Sequence, residues 1–569
     1  MHWLARRSTL VSLAGALAVG GIIAWTLPPP SQIIEFDSFP PSTPFPSAVL
    51  RGAFHVHSRW SDGSGTVDEI ALAGAAAGLD FVILTDHGDG MTSRPPSYRG
   101  GVLVIQGTEI STDGGHYVAL ELPAAPYPLG GDARGVVEDV RRLGGFGVIA
   151  HPTSPRAPLA WSDWSLRVDG VEWLNGDSEW RDDSPAQLLR AVAGYWFRAP
   201  ESLASLMARP ERALARWDTL AAERPIVGLG ATDAHARLAL GTDDDGYGGG
   251  VEVRFPGYAE TFRTFAIRVE LDRPLTGDPN ADAANLVDQL RAGRVYTAVD
   301  ALASPVRFVY TGRTAGGGSV RMGERAPPQG GLTLRAAVAA PPSATFRLLR
   351  NGRPVAQRRG RTLEHPVALD DQRAAYRVEV SLPGAPGQPP VPWIVSNPIY
   401  VGGPAETLSA PGPGRPSLPL PGDSWRVERR TDAAATLMQE DGGFRLEFTL
   451  GSRADTYVAA ARTFSPGALL DSGALRLAVE ASQPMRASLQ LRRQADGSVA
   501  ARWRRSFYAD QERRVVRAPI GEFAPAWSEV PARPELAAVD SLLIAVDTVN
   551  TMPGSSGVLT IEPIGVEPR

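Results

Sequence analysis

Between residues 51 and 270, short apolar runs alternate with segments of helical periodicity. Continuous apolar stretches within the runs, such as FVIL in DFVILTDH, have the pattern of buried strands. The runs are GAFHVH, DFVILTDH, GVLVIQGTEI, GGHYVALEL, FGVIAHP, VDGVEWLN and ERPIVGLGATDAH. Strands alternating with helices predict an α/β domain over 51–270 with a parallel sheet, either open or closed into a barrel.

The helical segments carry local signals of their own. TVDEIALAGAAAGL predicts a helix with Thr66 as its N-cap, and Glu69 stands three residues later, the spacing of a capping box. ARGVVEDVRRLGG predicts a second helix. A longer helical insert covers about residues 184–223. Its aromatic residues favour packing, and a lid over a substrate is the alternative.

Beyond residue 270 the pattern changes to the alternation of half-buried strands. Residues 271–401 predict one amphipathic helix followed by a small β-sandwich. Residues 402–422 are rich in proline and glycine and predict a linker. Residues 423–569 predict a second β-sandwich, with a jelly roll as one form of it.

The N-terminus has the pattern of a membrane-targeting segment. Arg6 and Arg7 precede an uncharged, mostly apolar run over 8–27, and twenty helical residues span about 30 Å, enough to cross a bilayer. The charge bias favours an internal N-terminus. Residues 1–30 therefore predict a signal anchor, with a cleaved signal peptide as the alternative, and 31–50 a Pro-rich tether. The remainder is expected outside the cytoplasm, membrane-anchored in the periplasm or, alternatively, soluble there or secreted.

Composition narrows the chemistry. The chain has 569 residues and a mass of 60.5 kDa, which predicts two to four domains. It has no cysteine, so disulfides, thiolate metal sites and cysteine nucleophiles are excluded. A net charge of -5 argues against a stable nucleic-acid complex.

Histidine is rare and unevenly placed. The chain has 8 histidines, and most of them lie at the ends of predicted strands between 51 and 240: His55, His57, His87, His116, His151 and His235. Carboxylates accompany them at Asp62, Asp86, Glu109 and Asp233. The carboxyl ends of parallel strands form the ligand-binding face of α/β folds, so this concentration predicts a metal site.

The spacing of the ligands supports one shared site. His55 and His57 are two residues apart on a strand, so alternation directs both imidazoles to the same face. Asp233 and His235 repeat that spacing. A ligand set of nitrogen and oxygen without sulfur suits Zn, Mn or Fe.

The ordered motifs HVHSRWSDG, VILTDHG, GTEI, GGHYVAL, IAHP and ATDAH resemble those of the PHP (polymerase and histidinol phosphatase) superfamily over about residues 51–255. The resemblance implies a distorted (β/α)7 barrel with two or three divalent metal ions. In layout the chain is similar to the carbaryl-hydrolase-like branch. Asp62, where many relatives have histidine, is similar to the nucleoside-bisphosphate phosphatase-like branch.

The same resemblance implies how the ligands divide. One metal is expected at His55, His57, Glu109 and Asp233. Glu109 would bridge to a second metal, held also by His116 and His151. A third would lie at Asp62, His87 and His235. Asp86 is expected outside the ligand set, orienting an imidazole.

Paired metals acidify a bound water and neutralise charge on substrate oxygens. We therefore expect a phosphoesterase, a phosphatase or an exonuclease-type phosphodiesterase, that acts on a small phosphoester or nucleotide-type substrate by attack of a metal-bound hydroxide. Arginines near the ligand motifs, Arg59, Arg94, Arg156 and Arg237, are candidates for binding phosphate. Arg59 and Arg237 flank ligands most closely and are the candidates for a catalytic role.

Two alternatives remain open at this point. The same site would serve hydrolysis of carboxyl or carbamate esters. Alternatively, the barrel is a non-catalytic scaffold, and the C-terminal sandwich binds glycan in the cell envelope. Tryptophans such as Trp503 in ARWRRSFY would offer a sugar platform, although core packing is the ordinary interpretation.

Overall fold

The computed structural model describes residues 20–21, 27–35, 39–40, 46, 48–240, 251–327, 330–368, 372–403, 417–495, 498–527 and 530–569. The predicted signal segment over 1–30 and the predicted linker over 402–422 lie largely outside these ranges. None of the helices within them combines the length and apolarity needed to cross a membrane.

The N-terminal half of the described chain is mixed α/β. Its strands are β1 (Gln32–Ile33), β2 (Val49–Val56), β3 (Phe81–Leu84), β4 (Ser97–Arg99), β5 (Val102–Thr112), β6 (Gly115–Leu120), β7 (Phe146–Ile149), β8 (Gly170–Asn175), β9 (Val227–Ala231), β10 (Leu238–Leu240) and β11 (Val251–Val253). Its helices are α1 (Val67–Ala76), α2 (Ala133–Arg142), α3 (Gly176–Glu179), α4 (Pro185–Tyr195), α5 (Ala199–Ala204), α6 (Glu211–Glu223) and α7 (Tyr258–Thr264), with a 3-10 turn at Trp180–Asp182. The capping box predicted at Thr66 and Glu69 is confirmed.

Within the described ranges, the central sheet runs in the order β2–β3–β5–β6–β7–β8–β9. Neighbours pair in parallel except around β6, which is antiparallel to both β5 and β7. The sheet closes because Thr232 N donates to Phe54 O at 2.8 Å and His57 N to Ala234 O at 3.0 Å. The β5–β6 hairpin has no helix between its strands, so the predicted alternation of strands and helices holds only in part.

The next part of the chain is mostly strand. Its helix is α8 (Pro279–Arg291), and its strands are β12 (Ala266–Glu270), β13 (Val295–Ala298), β14 (Ala303–Ser304), β15 (Phe308–Thr314), β16 (Ser319–Arg321), β17 (Gly331–Val338), β18 (Thr345–Arg350), β19 (Arg353–Arg359), β20 (Thr362–Ala368), β21 (Ala374–Ser381), β22 (Ile394–Ser396) and β23 (Ile399–Val401). Leu286 and Leu290 of α8 belong to the buried apolar cluster that holds Phe54 and Leu229 of the barrel strands. The helix therefore packs against the barrel strands.

The sheet of the small sandwich is continuous with that of the barrel. β12 pairs with both β2 and β13, and β13 pairs with β22. β22 pairs with β21, which pairs with β18, so one sheet runs from β19 to β9. A second sheet, β16–β15–β17–β20, completes the sandwich. Strands therefore pair across the domain boundary predicted at residue 270, and the barrel and the small sandwich share one sheet.

The C-terminal part consists of two sheets. The strands are β24 (Leu418–Pro419), β25 (Arg426–Arg429), β26 (Ala434–Glu440), β27 (Gly443–Thr449), β28 (Tyr457–Thr463), β29 (Ser472–Ala481), β30 (Met485–Ala495), β31 (Ser498–Ala509), β32 (Arg514–Pro519), β33 (Ala524–Pro525), β34 (Ser541–Asp547), β35 (Ser556–Ile561) and β36 (Gly565–Pro568), with a 3-10 turn at Ile520–Glu522. β29 lies in one sheet and β30 in the other. Large apolar side chains between the two sheets form a common core.

Trp503 belongs to that core and offers no sugar platform. Its side chain is buried, and its indole Nε1 donates to Pro531 O at 2.7 Å. Trp425 is buried as well. Core packing, the ordinary interpretation of Trp503 in the ARWRRSFY motif, is therefore confirmed, because alternation along β31 directs this side chain inward.

A buried ion-pair network joins the middle sheet to the barrel helices. Arg377 of β21 donates to Asp218 of α6 at 2.7 and 2.8 Å and to Glu379 at 2.8 Å. Arg209 donates to Glu379 at 2.7 Å. Burial opposes ionisation of Glu379, but the two guanidinium groups outweigh it and lower its pKa from 4.5 to about 2.

This shift makes part of the stability depend on pH. A carboxyl with a depressed pKa in the folded state stabilises the protein above its unfolded pKa and loses that contribution as pH falls from about 4.5 to about 2. We expect Glu379→Gln to reduce the free energy of unfolding by about 3 kcal/mol at pH 7 and by much less near pH 2. Denaturant titration at both pH values measures this. Glu364→Gln, on an exposed pair with Arg335, is the control and should show a difference near zero at both.

Candidate metal centre

The carboxylate of Glu109, on β5, lies at the centre of the predicted ligand cluster. Its side chain is buried. Five imidazole nitrogens lie 2.9 to 3.4 Å from its two oxygens, those of His55, His57, His87, His116 and His151. Oε1 faces His116 and His151, and Oε2 faces the other three. One carboxylate with a separate group of imidazoles on each oxygen has the arrangement of a bridging ligand.

Two further carboxylates flank this centre. Asp233 Oδ1 lies 3.3 Å from His55 Nε2 and 3.5 Å from His57 Nε2. Asp62 Oδ1 lies 3.1 Å from His57 Nδ1, and Asp62 Oδ2 lies 3.3 Å from His235 Nε2. The structure thus brings all nine predicted ligands into one connected group.

Three sets of these side chains have ligand atoms within 4.8 Å of one another. They are His55, His57 and Asp233; His87, Glu109 and His116; and His57, Asp62, His87 and His235. The division implied by the resemblance differs in several places, since Glu109 is absent from the His55 set and His151 from all three sets. His87 joins the Glu109–His116 set, and His57 presents Nε2 to one set and Nδ1 to another.

Three of the ligands lie on strained backbone. His55 (φ 65°), His151 (φ 27°) and Asp233 (φ 47°) all adopt left-handed conformations. Such a conformation costs a non-glycine residue about 1 to 3 kcal/mol and persists only where the surroundings impose it. At His55 it coincides with a register shift between β2 and β3 after Ala53. The two imidazoles of HVH therefore converge through this irregularity rather than through regular alternation.

The turn after His57 is fixed by hydrogen bonds and by one glycine. Gly63 N donates to Ser58 O at 2.9 Å, and a Cβ at Gly63 would lie 2.2 Å from His57 O. Asp86 accepts from Ser58 N and Ser58 Oγ, both at 2.8 Å, and from Ser61 Oγ at 2.7 Å. Ser61 Oγ lies 3.3 Å from His57 Nδ1 in turn, so among the described residues Asp86 reaches an imidazole through Ser61 rather than by a direct hydrogen bond.

Glu172 orients His55, a role that the sequence did not suggest. It is fully buried on β8 and its Oε1 lies 2.6 Å from His55 Nδ1. Its Oε2 accepts from His151 N at 2.6 Å and from Asn175 Nδ2 at 2.9 Å. Asn175 also donates to Asp233 at 3.1 Å. Glu172 and Asn175 thus fix both the ring of His55 and the carboxylate of Asp233.

We expect Glu172→Gln to weaken metal binding about 10- to 100-fold, the usual cost of losing the partner of a metal-ligating histidine. The amide cannot accept from both His55 Nδ1 and His151 N as the carboxylate does. Titration of the metal against a fluorescent chelator measures the change. Glu121→Gln, at a half-exposed pair with Arg291, is the control. Equal affinity in all three proteins would contradict the role assigned to Glu172.

Electrostatics keep the carboxylates ionised. Burial alone would raise their pKa values. However, the pKa of Glu109 is well below its ordinary value because of His55, His116 and His151, and the pKa of Asp62 is lowered by His235 and His57. Conversely, burial lowers the pKa of His87. At His55, His57, His151 and His235 the neighbouring carboxylates outweigh burial and raise the pKa of the imidazole. Charged oxygens and a neutral His87 are the protonation states that metal ligands require, whereas a metal must displace a proton from the other four imidazoles.

The unsatisfied atoms of the cluster fit a cation. His87 Nδ1 is buried and has no hydrogen-bond partner among the described residues. The Nε2 atoms of His55 and His57 face each other at 3.0 Å. Buried polar atoms normally find partners, and a divalent cation satisfies several such lone pairs at once. The residues present therefore fit the metal ions that the motifs imply.

A cavity of about 230 Å³ opens onto this cluster. It is lined by ligands and by three arginines, Arg156, Arg181 and Arg237. Arg237 was predicted to have a catalytic role, and it also donates to Asp62 O at 3.3 Å. Arg59 is exposed, does not line this cavity and donates to Ser64 O at 2.7 Å. Arg94 stacks on Trp60 in a neighbouring pocket.

Comparisons with known proteins give only distant likenesses. No family model matches the chain, and no curated protein matches. A two-domain Bacteroides vulgatus protein described as containing a predicted PHP-like metal-dependent phosphoesterase is 15% identical, with 65% of this chain and 98% of that chain covered and a TM-score of 0.29.

Two other solved structures illustrate the range. Endonuclease Q in complex with an abasic duplex is 15% identical over 42% of this chain and 57% of that chain, with a TM-score of 0.24. A family 11 carbohydrate-binding module from Clostridium thermocellum is 13% identical over 27% of this chain and 95% of that chain, with a TM-score of 0.23. Likenesses at these identities and TM-scores do not establish a function for this chain.

Proposed function

We propose that the protein is a metal-dependent phosphoesterase of the PHP superfamily. The observation that carries the proposal is the convergence of six imidazoles and the carboxylates of Asp62 and Asp233 around Glu109, beside a cavity lined by three arginines. The ligand set supports bound divalent metals, and the arginines support an anionic substrate.

The cluster would hold two or three divalent ions. His55, His57 and Asp233 would hold one and His87 and His116 another, with an oxygen of Glu109 facing the imidazoles of each. Asp62 and His235 would complete a third position. Bound there, such ions supply an activated water and neutralise charge on phosphoryl oxygens. Glu172 and Asn175 keep the ligands in place, as their hydrogen bonds show.

The chain itself supplies the rest of the phosphate site. Arg156, Arg181 and Arg237 line the cavity and present donors to phosphoryl oxygens. His87 and His235 also line it, and their side chains retain 25% and 21% exposure. Both are ligands in the proposed set, so a substrate in this cavity would lie against the metal positions.

Full-length protein supplemented with Mn²⁺ or Zn²⁺ tests the proposal. We expect hydrolysis of p-nitrophenyl phosphate or of a nucleotide, lost in Asp233→Asn and retained in Asp455→Asn, whose carboxylate is exposed in the C-terminal sandwich. Turnover of p-nitrophenyl acetate alone would replace the proposal with a carboxyl-ester or carbamate hydrolase. Equal phosphatase rates in both variants would contradict the assigned site.

We also propose that the catalytic part lies outside the cytoplasm. The support is the sequence over 1–30, with two arginines before an apolar run. Protease added to intact spheroplasts should digest the full-length chain. Protection until the membrane is lysed would contradict this location.

A further inference from the structure

A second cavity adjoins the metal centre and differs from it in chemistry. It has a volume of about 220 Å³. Its walls are mainly apolar, among them Leu188, Val192, Leu206, Met207, Phe255 and Phe265. α4 and the segment after α5 provide four of these six side chains, Leu188, Val192, Leu206 and Met207. Nothing in the proposed hydrolysis of a phosphate group requires such a surface.

The two cavities share one wall. Asp233, His235 and Arg237 line both, together with Asp177, Trp180 and Leu238. A ligand with its phosphoryl group at the metal ligands would therefore have its other end beside the apolar wall. Each cavity alone falls below the roughly 300 Å³ at which ligand pockets begin, whereas the two together reach that size.

The outer face of α4 and of the residues that follow it is also apolar. Leu189, Trp196 and Phe197 are 71%, 81% and 60% exposed, and Val192, which lines the cavity, is 43% exposed. Leu189, Val192 and Trp196 follow the spacing of one helix face. Clusters of large exposed apolar residues mark binding surfaces, and tryptophan is enriched where proteins meet the lipid–water interface.

The chain leaves its N-terminal apolar run next to this face. Arg198 Nη1 donates to Pro28 O at 2.6 Å, and Ser31 N donates to Glu201 Oε1 at 3.1 Å. Pro28 directly follows the apolar run over 8–27. The residues that emerge from a predicted membrane segment are thus bound to the helices that form the apolar cavity.

We propose, on the basis of the function proposed above, that the substrate is a phosphoester of a long aliphatic alcohol, taken from a lipid bilayer. The phosphoryl group binds at the metal ligands and arginines, and the chain binds in the apolar cavity. Water adds to phosphorus, the bond from phosphorus to the alkyl oxygen breaks, and that oxygen leaves with a proton as the alcohol. No redox partner is needed.

The test uses full-length protein with Mn²⁺ and the monoalkyl phosphates from ethyl to octyl, kept below their aggregation limits, with released phosphate as readout. We expect kcat/KM to rise at least about 10-fold from ethyl to octyl phosphate, because each buried methylene favours binding. Val192→Trp narrows the apolar cavity and should remove this rise. Ala186→Trp, on an exposed position of α4 outside the cavity lining, should retain it.

Binding gives a readout independent of turnover. Octylphosphonic acid, which cannot be hydrolysed, should bind at least about 10-fold more tightly than ethylphosphonic acid in calorimetry, and Val192→Trp should remove the difference. Hydrolysis of p-nitrophenyl phosphate without chain-length dependence would overturn this inference alone. Hydrolysis of no phosphoester would overturn the proposed function instead. Turnover of octyl phosphate without turnover of phosphatidate in phosphatidylcholine vesicles would overturn the bilayer source.

Discussion

Replacing Glu109 by glutamine is expected to lower phosphoester turnover more than about 100-fold and to remove at least one bound metal. Glu109 presents one oxygen to His116 and His151 and the other to His55 and His57. Glutamine keeps one oxygen but replaces the other with an amide that has no lone pair for a cation. The bridge between the two groups of imidazoles would therefore be lost, whatever the substrate.

Elemental analysis and steady-state kinetics on the same preparation measure this effect. Glu447→Gln, at a half-exposed position of β27, is the matched control and should change neither metal content nor turnover. The circular dichroism spectrum should be unchanged in both variants. A Glu109→Gln protein with its full metal content and full activity would show that Glu109 does not bridge metals.

The second large effect is expected at the contact between the C-terminal sandwich and the barrel. Arg486 of β30 is buried and donates to Asp139 of α2 at 2.9 and 3.0 Å, and to Ser506 at 2.8 Å. Ser506 donates in turn to Asp132, the N-cap of α2, at 2.7 Å. The contact is close, because a Cβ at Gly135 of α2 would lie 2.4 Å from Ser506 Oγ.

Arg486→Met would leave Asp139 buried with the weaker support of Arg142. Removing one partner of a buried ion pair costs about 3 to 5 kcal/mol. We expect the unaltered protein to unfold in one thermal transition and the Arg486→Met variant in two, with the sandwich and the barrel unfolding independently. Differential scanning calorimetry measures this. Arg445→Met, on an exposed pair, should leave the transition unchanged, and the same result for Arg486→Met would contradict a stabilising contact.

Much of the site could be predicted because histidine and carboxylate side chains are residue types that bind metal ions. Six rare histidines at strand ends indicate one cluster before any coordinates are known, and the described structure places them together. The convergence of HVH was predicted by alternation, but the structure achieves it through a left-handed His55. This left-handed conformation depends on packing from several strands, so the identity of residue 55 does not predict it.

Glu172 and Asn175 show what the sequence analysis missed. Both lie in VDGVEWLN, where the surrounding apolar residues indicate only a buried strand. A carboxylate is almost never fully buried without a partner, so the glutamate within this run was a usable signal. Its partner, His151 N, lies just after a different strand, β7, and only the fold identifies it.

The types of secondary structure in the larger architecture could be predicted from the sequence. The strand pairings that join its parts could not. Alternating patterns beyond residue 270 correctly indicated strands, since period-two burial is a local property. The pairing of β12 with β2 and of β13 with β22 depends on partners more than 90 residues distant in sequence and joins two units that the pattern separates. Trp503 was ambiguous for the same reason, because the face of a strand that turns inward is set by the opposing sheet.

The central claim is that Glu109 lies between bound metal ions. Anomalous X-ray scattering from crystals of the full-length protein grown with Mn²⁺ tests it most directly. We predict at least two anomalous peaks within coordination distance of the Glu109 carboxylate, bounded by His55, His116 and Asp233. Crystals that contain Mn²⁺ but show no peak at Glu109 would contradict the claim.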